Sequence, residues 1–194
     1  MSQSICRRSR LSLCCIGVFL GISLMIGHSA FAAAIVTNWV NHLALLPGDE
    51  SVDISFNAVS SGVGGSLGGL VVTSITTGEE AIGGGNKVVW MALQSPPNFE
   101  IVGVRVCYES SNSRSFISQI RIAQVEDPPA SALVILDDGT DLVDPGPVCV
   151  NSAPTSVKPS AGALLFSLRV NFGNIADKIV IRGLGLRLKK HGGF

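Results

Sequence analysis

Four carboxylates fall within eight residues at Asp137, Asp138, Asp141 and Asp144. A cluster of hard oxygen donors is what a Ca2+ site requires. The spacing does not follow an EF-hand loop, and Asp138-Gly139 has the signature of a tight turn, where acids are ordinary solvated residues. These four are the candidate metal ligands, and Ca2+ is the one candidate cofactor. Acid–base chemistry has fewer residues to use. Outside the N-terminal segment the histidines are His42 and His191, the latter in the terminal run Lys189-Lys190-His191-Gly192-Gly193-Phe194. There is no G-x-S-x-G elbow and no HExxH pair. A glycosidase needs only two carboxylates, so fourteen acids do not exclude one, but no pair is marked by its surroundings. The expectation is a protein without a catalytic site.

Aromatic rings offer a different chemistry, stacking on an apolar sugar face. Trp39, Trp90 and Tyr108 are the full set of Trp and Tyr. Trp39 lies between Asn38 and Asn41 and is the candidate ligand-binding residue. Trp90 sits in Lys87-Val88-Val89-Trp90-Met91-Ala92-Leu93, apolar on both faces, and is expected to be buried. Tyr108 shares its parity with three valines and is expected in the core. The glycine-rich stretch Ser60 to Gly69 lacks the Lys-Ser/Thr of a phosphate-binding loop and reads as a flexible connection, as does Gly83-Gly84-Gly85.

Whatever binds must be held by elements of period two. Val52, Ile54, Phe56 and Ala58 alternate with Asp53, Ser55 and Asn57; Val102, Val104, Val106 and Tyr108 with Gly103, Arg105, Cys107 and Glu109; and Leu164, Phe166, Leu168, Val170 and Phe172 with Leu165, Ser167, Arg169 and Asn171. Each set predicts a half-buried strand. Further strands are expected near 70–76, 87–93, 115–125, 131–136 and 178–188. In the last of these the apolar parity switches from Ile179 and Ile181 to Leu184, Leu186 and Leu188, which predicts a bulge near Arg182-Gly183. Asp138-Gly139 predicts a hairpin between residues 133–136 and 141–143, and Gly173 to Asp177 predicts a second one joining the last two strands. Pro96-Pro97, Pro128-Pro129, Pro145 and Pro147 mark connections. No amphipathic helix of a dozen residues is visible. The expected fold is all-β, a two-sheet β-sandwich of jelly-roll or Greek-key type.

The N-terminus reads as an address. Arg7, Arg8 and Arg10 precede an apolar run from Leu11 to Ile26, and Ala30-Phe31-Ala32 supplies small residues at −3 and −1. This is the layout of a secretory signal peptide spanning 1–32, with cleavage expected after Ala32 and a β-sandwich domain over 33–194. The apolar run is too short to span a bilayer, so no transmembrane segment is expected after cleavage. The whole chain holds 14 basic and 14 acidic residues; without 1–32 it holds 11 and 14, a net charge of −3. A low charged fraction of 14% and no basic face exclude a nucleic-acid partner. Two cysteines remain, Cys107 and Cys149, without CxxC spacing, and they predict a disulfide in an oxidising, extracytoplasmic compartment. Both lie on the outward parity of their strands, so the bridge is expected to staple an outer face.

The stretch Val89 to Tyr108, an apolar strand, a Pro-containing turn and then Ile101 to Tyr108, and the closing strand Ile179 to Leu188 resemble, in pattern, modules appended to secreted bacterial proteins. The resemblance implies a fold and carries no functional residue. The leading functional expectation is an exported, non-catalytic binding or adhesion module for a carbohydrate or a cell-surface partner. The alternative is a structural or assembly protein associating through β-edges, and a glycoside hydrolase ranks third. Oligomeric state is left open.

Overall fold

A computed structural model of the chain describes residues 34–56, 68–126 and 131–190. The expected leader with its cleavage site, most of the 60–69 segment, Pro128-Pro129 and His191 lie outside the described residues. The described residues form eleven strands and no α-helix. They are β1 (Ile35–Val40), β2 (Leu46–Pro47), β3 (Val52–Ser55), β4 (Leu70–Ser74), β5 (Val88–Leu93), β6 (Phe99–Ser110), β7 (Phe116–Glu126), β8 (Ala132–Asp138), β9 (Val148–Asn151), β10 (Gly162–Asn171) and β11 (Ile179–Lys190). Among the described residues no helix is long and apolar enough to cross a membrane.

The strands make two antiparallel sheets. One runs β3-β4-β11-β6-β9, with β1 also paired to β11; the other runs β2-β5-β10-β7-β8. Strands β4 to β11 give the two four-stranded orders β4-β11-β6-β9 and β5-β10-β7-β8, which is the jelly-roll arrangement. This is the expected two-sheet sandwich. Its core is the period-two pattern made solid: Leu164, Phe166, Leu168, Val170 and Phe172 of one sheet are all buried against Val104, Val106, Ile179, Ile181, Leu184 and Leu186 of the other.

Register follows from where the alternation breaks. In β11, Ile181 pairs with Tyr108 and Gly183 with Cys107, so Arg182 is the extra residue of a bulge, as the parity switch predicts. The break in β6 was not expected. Arg187 pairs with Gly103 and Leu188 with Ile101, which leaves Val102 unopposed. Ile101 is therefore the buried residue and Val102 is half-buried, a correction to the alternation counted from Val102. Likewise β3 ends at Ser55, and Phe56 is exposed.

Both expected hairpins are corrected. After β8, which pairs with β7, the segment 141–143 does not return alongside it. The Asp138 carboxylate accepts from Thr140 N at 3.1 Å and from Ala153 N at 2.6 Å, capturing the chain, and Leu142 N instead donates to Ile117 O at 2.9 Å. The loop Gly173 to Asp177 joins strands of opposite sheets, so it is an arch across the sandwich. Asp177 fixes that arch by accepting from Ser115 Oγ at 2.6 Å and Asn112 Nδ2 at 2.9 Å.

One buried cation holds the chain before β5. Lys87 has no exposed surface, and its Nζ donates to the carbonyls of Thr76, Thr77 and Gly78 at 2.8, 2.8 and 2.9 Å. Burial lowers the Lys87 pKa, against the opposing charge of Asp49. The three carbonyls supply the partners that a buried ammonium demands.

Candidate functional site

In an antiparallel pair, directly opposed residues share a face. Following the register across the five-stranded sheet gives one outward row from five strands: Leu46 opposes Trp90, Trp90 opposes Ser167, Ser167 opposes Arg121, and Arg121 opposes Asp137. Arg121 grips Asp137 with Nε at 3.2 Å from Oδ1 and Nη2 at 3.1 and 3.2 Å from the two oxygens. Gln119 Nε2 donates to the same carboxylate. The next row along the strands is apolar: Ala92, Leu165, Ala123 and Val134. On the other side Arg169 faces Glu79 at 3.2 Å and donates to Ser118 Oγ at 2.9 Å.

These rows line a groove of about 420 Å³ bounded by Gly48, Val88, Trp90, Arg121, Ala123, Val134, Leu165 and Ser167. Gly48 closes one side, its N donating to Val88 O at 2.8 Å. A Cβ at Gly48 would collide with the Val88 side chain and touch Trp90 Cδ1, so the close approach requires glycine. The chemistry available is an indole face for stacking, a hydroxyl that both donates and accepts, and a guanidinium with donors beyond those that hold Asp137. Both arginines of this face are paired with acids, which suits an uncharged, hydroxyl-rich ligand.

Trp90 is therefore not buried as its apolar neighbours suggest. It is half-buried and lines the groove, because Val89, Met91 and Leu93 take the inner face while its outer neighbours are Ser167 and Arg121. Sequence reasoning missed this site. The outward parity of Ser167 and Arg169 was readable, but the cross-strand partners were not.

The residues singled out from sequence are not brought together with it. Trp39 lies on the other sheet, opposite Gly185 in β1, and is 56% exposed. Its ring edge rests over Gly183 and Gly185, where an added Cβ would stand 3.2 Å from it. Beside it is a smaller groove of about 360 Å³ with Val40, His42, Cys107, Arg182, Gly183 and Leu184. Burial lowers the His42 pKa. Tyr108 is buried in the core as expected, with its hydroxyl donating to Leu142 O at 3.1 Å; burial, then the Asp144 charge, pushes its pKa up to about 12.

The four aspartates go separate ways. Asp137 is held by Arg121, Asp138 by backbone N–H groups, and Asp144 accepts from Gly146 N at 3.0 Å. Asp141 is exposed. Among the described residues no group of three or more His, Cys, Asp or Glu side chains is placed to hold a metal ion. For Asp138, burial works to raise the pKa, and hydrogen bonds from Ala153 and Thr140 outweigh it, holding the carboxyl below its ordinary value. Cys107 and Cys149 are bonded, directly opposed in β6 and β9 with Cα atoms 3.9 Å apart, on the outward parity predicted for them. Beside them Arg182, the bulge residue, donates from Nε to Glu109 at 2.8 Å, and that carboxylate is almost fully buried.

No protein-family model matches the chain, and no curated relative matches it. Among solved structures, the CBM22-1 xylan-binding domain of Paenibacillus barcinonensis Xyn10C is similar, at 11% identity over 83% of this chain and 98% of that one, with a TM-score of 0.51. So are the CBM22-1–GH10 modules of Clostridium thermocellum endo-1,4-β-D-xylanase 10B complexed with xylohexaose, at 10% identity and a TM-score of 0.51, covering 80% of this chain. The present chain spans 29% of that xylanase structure. At such identities the likeness shows a shared β-sandwich fold.

Proposed function

We propose that this protein is an exported, non-catalytic carbohydrate-binding module whose ligand lies in the groove on the five-stranded sheet. The observation that carries the reading is the row Trp90, Ser167, Arg121 and Asp137, contributed by four adjacent strands to one face. An aromatic platform beside a few fixed polar groups is the usual construction of a site for a small polar ligand. The fold it shares with a xylan-binding domain supports the same reading. The groove lining contains no carboxylate, and Asp137 at its end is engaged by Arg121, whereas glycoside hydrolysis needs two carboxyls across the scissile bond. The leader-like N-terminus and the Cys107–Cys149 bridge support a periplasmic or secreted location.

A glycan-array screen of the purified protein tests the reading, followed by calorimetric titration of any retained glycan. Trp90→Ala is expected to weaken binding about 30-fold or more, the behaviour of a central aromatic anchor. A screen that retains no glycan refutes the proposal. A second reading, association through β-edges, draws on β1: its residues are exposed except for half-buried Val40, and among the described strands it pairs with β11 alone. Concentration-dependent mass by light scattering would support that reading, and a constant monomer mass would remove it.

A further inference from the structure

The groove has two unlike halves. The polar half is the row through Trp90, Ser167 and Arg121. Two residues further along β10 and β7, and three along β8 where Ile135 is an extra bulge residue, Leu165 and Val134 flank Ala123 on the same face, and Val125 follows. Leu165 and Val134, 38% and 46% exposed, line the same groove with Ala123, and Val125, 40% exposed, continues the apolar strip beyond it. Residues two apart on a strand are separated by about 7 Å, which brings the strip within reach of a substituent on a sugar stacked over Trp90.

Charge narrows the choice of substituent. Arg121 is neutralised by Asp137 and Arg169 by Glu79, so this face offers no free charge to an acidic sugar. A bare hydroxyl placed against Leu165 and Val134 would lose water without gaining a partner. A methyl placed there would lose unfavourable contact with water.

We infer that the groove selects neutral glycans carrying acyl groups, such as O-acetyl esters, over the same glycans without them. The inference rests on the carbohydrate-binding reading of the groove and names the class of ligand it takes. Trp90 and the polar row hold the sugar, and Leu165 and Val134 receive the acyl methyl. Each methyl buried there strengthens binding about fourfold.

The test is calorimetric titration with acetylated xylo-oligosaccharides and with the same preparation after alkaline deacetylation. Wild-type protein is expected to bind the acetylated form about fourfold more tightly per buried acetyl group. Leu165→Ser is expected to bring that acetylated-to-deacetylated ratio toward one, the ratio within the variant being the readout. Because Leu165 is on an exposed face, the unfolding midpoint should hold, and Val134→Ser provides a second variant should it fall. Equal wild-type affinity for the two forms overturns the inference and leaves the carbohydrate reading standing. Binding of neither form overturns the inference, and the carbohydrate reading falls with it when the glycan array also retains nothing.

Discussion

Lys87→Met removes one ammonium and keeps the unbranched stem. In the native fold that ammonium donates to three carbonyls at 2.8–2.9 Å and has no exposed surface. Without it, three backbone acceptors lose their donor, at about 1–3 kcal/mol for each that stays dry. Thr76 and Gly78 are half-buried and Thr77 is exposed, so water can reach part of the cradle and the low end applies, about 3 kcal/mol in all. Burying a thioether in place of an ammonium returns a fraction of this. The expected net loss is about 2–3 kcal/mol, or roughly 4–12 °C in Tm for a domain of this size. Urea unfolding of the wild type and variant, monitored by circular dichroism, measures it. A change below about 0.5 kcal/mol, the behaviour of a surface lysine, would refute the assignment of Lys87 as an internal tether.

The Cys107→Ser/Cys149→Ser variant should lose roughly 4 kcal/mol, the chain-entropy value for a loop closed over a separation of 42 residues; a denaturation midpoint equal to wild type would contradict a stabilising bridge. Asp138 titrates below its ordinary value in the fold, so between the two values the unfolded chain binds more protons and stability falls as pH drops through that window. Asp138→Asn should flatten the acid limb of the stability–pH curve below about pH 4, and an unchanged limb would show that its two backbone bonds contribute nothing. Gly185→Val places a branched side chain against Thr37 and the Trp39 ring, so β1 should loosen by about 1–3 kcal/mol. Hydrogen exchange along β1 would report this, and unchanged protection would show the contact to be soft.

The fold was legible where the pattern carried its own reference. The bulge at Arg182 could be read because alternating apolar residues stand on both sides of it, in phase before and out of phase after. The bulge at Val102 was hidden because Ile101 and Val102 are both apolar, so either could serve as the inward residue. Asp138-Gly139 and Gly173 to Asp177 were recognised as turns, but turn chemistry does not say which sheet the next strand joins. That choice was made by long-range partners: Ala153 for the Asp138 carboxylate, and Ser115 and Asn112 for Asp177. The outward placement of Cys107 and Cys149 followed from parity alone.

The groove was much less legible. Its row draws residues 90, 167, 121 and 137 from four strands, and only the register brings them together. The apolar run from Val88 to Leu93 concealed that its outer face is open. Trp39, the candidate read from sequence, is exposed, but it stands on the opposite sheet.

The chain has two tryptophans, Trp39 and Trp90, one on each outer face. Their indole N–H resonances in a nitrogen–proton correlation spectrum, assigned with Trp90→Phe, therefore report each face separately. On titration with a glycan retained in the array screen, the Trp90 indole should shift and the Trp39 indole should stay in place. A shift of Trp39 with Trp90 unmoved would contradict the five-stranded sheet as the binding face.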